Sequence, residues 1–209
     1  MMERFRAFWT KVISPVAHLL IRMGVSPDAV TLVGTLGVSA GALVFFPQGK
    51  LATGVLVIAA FVFSDLLDGY MARTTGRVSS FGAFWDSTLD RVADGAIFIG
   101  LALYFAWEEP SRLYLVLSLV CLLMGGVTSY ARARGETLGF SVKVGIAERA
   151  DRLVAILVMT FFSAVLDLPV LLYIALWGLA LASTITVAQR VWVVRKQAAE
   201  EAALRSEHD

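Results

Sequence analysis

Apolar positions in this chain come in long unbroken runs rather than in the one-sided stripe of a surface helix. Residues 29–49 hold 21 uncharged positions in a row, residues 113–131 hold 19 and residues 168–189 hold 22. A helix of about 20 apolar residues crosses a bilayer, so each of these runs is long enough. Three further runs are shorter and end in charge. Residues 51–64 lead into Asp65 and Asp68, residues 95–107 follow Asp86, Asp90, Arg91 and Asp94, and residues 153–166 follow Arg149 and Arg152. Each of these spans only if its charged end goes into the membrane with it. The pattern predicts an all-α integral membrane protein with six transmembrane helices, at 28–46, 51–73, 82–107, 112–134, 149–166 and 168–194. Pro47-Gln48-Gly49, Glu108 to Ser111, and Asp167 with Pro169 supply the turns.

The ends of the chain read differently. Phe5, Phe8, Trp9, Val12 and Ile13 recur at helical spacing opposite Arg4 and Lys11. Ser14-Pro15 can open a short second helix, and Gly24 can end it. Residues 1–27 are therefore expected to form a cytoplasmic interfacial amphipathic segment ahead of the membrane domain. That domain is expected over residues 28–195, with a cytoplasmic helical tail over 196–209.

Composition agrees. Of 209 residues, 58% are hydrophobic and 17% charged, with a mean hydropathy of +0.75. Soluble domains have roughly 45–50% apolar and about 25% charged residues, so a soluble enzyme is excluded. A net charge of +1 offers no field for nucleic acid, and a single cysteine excludes a disulfide framework. Six spans put both termini on one side. That side carries sixteen of the eighteen lysines and arginines, leaving Lys50 and Arg112 on the other, and the positive-inside rule makes it cytoplasmic.

Carboxylates at membrane depth cost a few kcal/mol each or more, and here they are clustered. Asp65 and Asp68 are i,i+3 on the second helix, and Asp86 and Asp90 are i,i+4 on the third. The connection is short, so the two helices are antiparallel neighbours with both pairs near their cytoplasmic ends. Four carboxylates in a small volume need a counter-charge, and all-oxygen ligation suits Mg²⁺ or Mn²⁺, with room for two ions. Gly69 and Gly82 flank the aspartates and would let a ligand approach the backbone. Gly37 and Gly41 suit close helix packing. Asp94 is read as an arginine's partner. Cys121 is read as packing, His18 and His208 as surface residues, and Trp107 and Trp192 as interfacial anchors.

Written out, the acidic stretch is Asp65-x2-Asp68-Gly69-x2-Ala72-Arg73-x8-Gly82-x3-Asp86-x3-Asp90. It resembles the signature of the CDP-alcohol phosphatidyltransferase family at all eight of its fixed positions. The resemblance implies a homodimeric membrane enzyme. Such an enzyme moves a phosphatidyl group from CDP-diacylglycerol to an alcohol and releases CMP, with its site open to cytoplasm and lipid. It implies metal ligation by Asp65, Asp68, Asp86 and Asp90, with Asp90 also acting as general base. It implies donor contacts from Asp28, Ala29, Val30, Thr31, Gly69, Arg73 and Ser79, and Asp28 is in any case expected to cap the first spanning helix.

The signature does not specify the alcohol. Arg149, Arg152 and Arg190 fall at helix ends beside uncharged runs, which suits an acceptor that carries its own phosphate. Beyond the signature the chain is similar to an actinobacterial subgroup whose acceptor is 1D-myo-inositol 3-phosphate. That similarity implies that Ser129, Arg132, Arg149 and Arg190 meet the acceptor phosphate. A glycerol 3-phosphate acceptor is the alternative within the family. A divalent metal transporter is the alternative outside it, although a carrier would not need Gly69, Ala72, Arg73 and Gly82 at fixed offsets.

Overall fold

The computed structural model describes residues 14–62, 64–76, 79–146 and 148–206, apart from the side chains of Asp65, Arg205 and Ser206. The expectations for residues 1–13 and His208 lie outside the described residues. Every described element is helical: α1 (residues 14–22), α2 (Pro27–Ala40), α3 (Leu51–Val62), α4 (Ser64–Thr75), α5 (Ser80–Trp107), α6 (Arg112–Thr137), α7 (Arg149–Val165) and α8 (Val170–Ser206). A π-helical turn, Gly41–Phe45, and a 3-10 turn, Phe46–Gln48, extend α2. Among the described residues, four helical stretches are long and apolar enough to cross a membrane: Pro27–Gln48, Leu51–Thr75, Arg112–Thr137 and Val170–Leu204. The six-span expectation also needs α5, whose first half carries Asp86, Asp90, Arg91 and Asp94, and α7, which has only 17 residues.

The helices group into two compact units, residues 1–100 and 101–209. In the first unit, α2 starts sharply. Ser26 is its N-cap, accepting the Ala29 N–H at 3.2 Å, and Pro27 takes the first helical position. This corrects the expectation that Asp28 caps the helix. Proline is preorganised for the position just after a cap, so Ser26 holds that place and Asp28 lies within the first turn. The buried positions Pro27, Val30, Thr31, Gly34, Thr35 and Val38 follow the helical repeat and form the face packed on α3 and α4. Glycines set the closeness of that contact. A Cβ at Gly34 would lie 1.8 Å from Ser64 Oγ, and one at Gly37 would lie 2.2 Å from the Phe61 ring. The outward positions Leu32, Val33 and Leu36 are apolar too, as a helix in lipid requires. α1 packs Ala17 against Val30 and Met71 and ends at Gly24, where φ is +76°. Its Ser14 hydroxyl lies 3.1 Å from His18 Nδ1 and accepts the Tyr70 hydroxyl at 3.2 Å.

In the second unit, α8 packs on both α6 and α7. Leu117, Cys121, Ile156, Leu172 and Leu176 are buried, and Trp107 and Trp192 are exposed. Phe105, Tyr114 and Tyr173 form an aromatic cluster, with the two tyrosine rings stacked at 3.9 Å. Glu109 accepts the Tyr104 hydroxyl at 2.7 Å and also that of Tyr173, tying the α5–α6 connection to α8. Asp167 turns the chain between α7 and α8 with φ at +53°. α8 continues as regular helix to Ser206, beyond the expected membrane end. Residues 196–206 are mostly strong helix formers, and Lys196 lies 3.8 Å from Glu200 one turn on.

Candidate active site

The signature occupies two helices. Asp65, Asp68, Gly69, Ala72 and Arg73 are on α4, and Gly82, Asp86 and Asp90 are on α5. The first turn of α2 touches both. Buried Thr31 donates its hydroxyl to Asp68 Oδ2 at 2.6 Å, and the same oxygen lies 3.1 Å from the Pro27 carbonyl. On the α5 side, the Trp85 indole N–H donates to the Asp28 carbonyl at 3.2 Å. Asp28 Oδ1 lies 3.6 Å from where a Cβ on Gly82 would stand. Ser79 caps α5 by accepting the Gly82 N–H at 2.9 Å. The segment expected to receive the nucleotide thus bridges the two carboxylate helices.

Both signature glycines have polar side chains close to them. A Cβ at Gly69 would stand 3.3 Å from Arg73 Nη1, so the missing side chain makes room for the Arg73 guanidinium to fold back along α4. At Gly82 the space is shared with Ser79 and Asp28. Val30 faces the α1–α4 core rather than an opening, and Ala29 is exposed.

Asp68 is only 8% exposed, Asp90 is half-buried and Asp86 is exposed. Arg91 Nη2 lies between acids, 3.8 Å from Asp90 and 3.7 Å from Asp94, so Asp94 has the arginine neighbour expected of it. Among the described residues, no three carboxylate, imidazole or thiol side chains converge as a metal cage. The Asp65 side chain is outside the described residues. The donor set is nonetheless carboxylates alone, with Asp68 steadied by a neutral hydroxyl, which fits a hard divalent cation and no softer metal.

The residues expected to hold an acceptor phosphate lie in the second unit. Arg190 on α8 is 4% exposed. Its Nε donates to the Val144 carbonyl at 3.0 Å and its Nη1 to the Thr128 carbonyl, using two of five guanidinium N–H groups. Arg132 Nε donates to Glu136 at 3.0 Å, one turn on along α6. Ser129 is half-buried, with its hydroxyl 3.2 Å from the Gly125 carbonyl. Arg149 is the first residue of α7, fixed there by a capping box between Glu148 and Asp151.

Sequence reasoning missed several participants. The carbonyls of Thr128 and Val144 have no side-chain signal, and Trp85 has none beyond its place at the start of α5. Arg152 was singled out from its helix-end position but not its partner in packing: it is 4% exposed, with its guanidinium 3.8 Å from a notional Cβ on Gly125. The Gly125-Gly126 pair in α6 was the available signal for it.

Fold and site together define a multi-pass helical membrane protein whose acidic site is assembled from the start of α2, α4 and α5. The family model for CDP-alcohol phosphatidyltransferases matches residues 24–145. A phosphatidylinositol phosphate synthase of Streptomyces avermitilis is 54% identical over 201 residues, which is 93% of this chain and 82% of that protein. One from Cutibacterium acnes is 49% identical over 203 residues, covering 94% and 98%. The crystal structure of the Mycobacterium tuberculosis phosphatidylinositol phosphate synthase with CDP-DAG bound superposes with a TM-score of 0.83 at 41% identity, covering 88% of this chain and 94% of that one. The same enzyme in complex with manganese and citrate also gives 0.83, covering 87% and 88%. The chain belongs to the CDP-alcohol phosphatidyltransferase family and is an enzyme of that class.

Proposed function

We propose that this enzyme transfers the phosphatidyl group of CDP-diacylglycerol to 1D-myo-inositol 3-phosphate and releases CMP. One observation carries the choice of acceptor. Similarity to phosphatidylinositol phosphate synthases runs over 93% of the chain and so includes the second unit, not the signature alone. In this reading α5 and α7 also span, both termini and the site are cytoplasmic, and the enzyme works as a homodimer in the cell membrane.

Asp65, Asp68, Asp86 and Asp90 would hold the divalent cation. Bound there, Mg²⁺ or Mn²⁺ supplies the positive charge that neutralises the donor pyrophosphate and the departing CMP. Thr31 keeps Asp68 aimed. Asp28 to Thr31 with Ser79 receive the nucleotide, and Arg73, resting over Gly69, reaches the pyrophosphate. Ser129, Arg132, Arg149 and Arg190 hold the acceptor's phosphate, with Arg132 exchanging Glu136 for it. Asp90 takes the proton of the acceptor hydroxyl as that oxygen attacks the β-phosphorus of the donor. A new P–O bond forms, the bond from that phosphorus to the bridging oxygen breaks, and CMP leaves with the bridging oxygen.

The test is CMP release by purified protein with CDP-diacylglycerol and Mg²⁺. Separate reactions contain 1D-myo-inositol 3-phosphate, glycerol 3-phosphate, free inositol or serine. Turnover with the inositol phosphate alone is expected. Turnover with glycerol 3-phosphate instead would keep the chemistry and overturn the acceptor.

A further inference from the structure

The connection between α6 and α7 is strapped down at several points over residues 138–146. It leaves α6 through Gly139, where φ is +88°, with the Phe140 N–H returning to the Gly135 carbonyl at 3.0 Å. Val142 is fully buried, its Cγ2 2.4 Å from where a Cβ on Gly135 would be, so the missing side chain is the socket for this valine. Val144 is held through its carbonyl by Arg190. Gly145 has φ at +143°, and any side chain there would meet Thr186 Cγ2 at 2.5 Å. The connection then enters the Glu148 capping box that sets Arg149 at the head of α7.

The remaining hold comes from the part of α8 that reads in the sequence as a tail. Gln197 Nε2 donates to the Ser141 carbonyl at 2.9 Å, and the Ser141 N–H donates to Gln197 Oε1 at 2.9 Å. The side-chain amide thus makes the paired bonds that a neighbouring strand would make. Of the uncharged side chains, only asparagine and glutamine offer both a donor and an acceptor in this flat arrangement.

We propose that Gln197 is a positioning residue for the acceptor end of the reaction. Its carboxamide pins Ser141, and through the strapped connection it fixes Arg149 and the Val144 carbonyl that anchors Arg190. The cytoplasmic extension of α8 is then part of the acceptor-binding machinery. The inference rests on the acceptor-phosphate reading given above. It extends that reading to a residue that touches no substrate.

The experiment is steady-state kinetics on the full-length enzyme with Gln197→Met, which keeps length and helix propensity but neither hydrogen bond, and with Gln197→Ala. In both, KM for 1D-myo-inositol 3-phosphate should rise roughly five- to tenfold, as loss of two hydrogen bonds implies. KM for CDP-diacylglycerol and kcat at saturation should stay within about twofold. The donor KM reports that the variants are folded, and a merely structural role for Gln197 would move both constants together. An unchanged acceptor KM, a parallel rise in both, or a loss in kcat alone overturns the proposal. Arg149→Ala runs beside them. If its acceptor KM does not rise, it is the acceptor reading that fails. If Arg149→Ala raises the constant and the Gln197 variants do not, only the strap fails. Should glycerol 3-phosphate alone support turnover, the same split measured with it still decides the role of Gln197.

Discussion

The two units hold their site charges by the same principle with different materials. In the first, Asp68 is fixed by the hydroxyl of Thr31 at 2.6 Å. In the second, Arg190 is fixed by the backbone carbonyls of Thr128 and Val144. Each anchor is neutral, a hydroxyl in one unit and backbone carbonyls in the other, whereas Arg132 is held by the charged carboxylate of Glu136. The difference lies in exposure to mutation. A hydroxyl can be removed by one codon change, whereas a carbonyl remains under any substitution. Asp68 is therefore fragile in its supporting hydroxyl, whereas Arg190 is held by groups that substitution leaves in place.

That contrast can be tested from its largest consequence downward. Asp90→Asn removes the proposed base and should cost roughly a hundredfold or more in kcat, read as CMP release with both substrates saturating. Normal turnover in that variant would move the base elsewhere. Arg149→Ala should raise the acceptor KM roughly ten- to hundredfold while leaving the donor KM in place, as loss of a charged hydrogen-bond donor implies. Thr31→Val should leave the fold intact and raise the Mg²⁺ concentration for half-maximal activity by roughly tenfold, with Thr31→Ser restoring most of it. A Mg²⁺ titration that superimposes on the parent enzyme would dissolve the contrast between the units. Thr128→Val is the matched control. It removes a hydroxyl whose described partner is the Met124 carbonyl and leaves the carbonyl that Arg190 uses, so both KM values should stay within about twofold.

Helices were the legible part of this chain. Uncharged runs put most of their ends within a few residues of those observed, because in lipid an apolar stretch of that length has no other stable form. The cap of α2 was also legible once Pro27 is given its preferred place, and the expectation failed by weighing Asp28 alone. The π-helical turn was not, since a stretch that is apolar on every side carries no mark of helical phase. At the site, the aspartate spacing announced itself because carboxylates are rare at membrane depth. The Thr31–Asp68 bond spans 37 residues and the Arg190–Thr128 bond 62, distances over which sequence pattern gives no pairing. Gln197 was hidden for a simpler reason. It opens a stretch rich in Ala and Glu, which reads as solvated tail, and its amide acts on a backbone 56 residues away.

The turn at Gly41–Phe45 has a consequence for how this chain can change length. A π turn accommodates one residue more than an α turn, and here it is Phe46 that is fully buried while Phe45 is only half-buried. Deleting a residue almost anywhere in a spanning helix swings every later side chain about 100° around the axis. Deleting one within this turn would let the helix relax to α geometry and return Phe46 to its seat against Gly54. Length, usually the least editable property of a membrane segment, is editable here at one place.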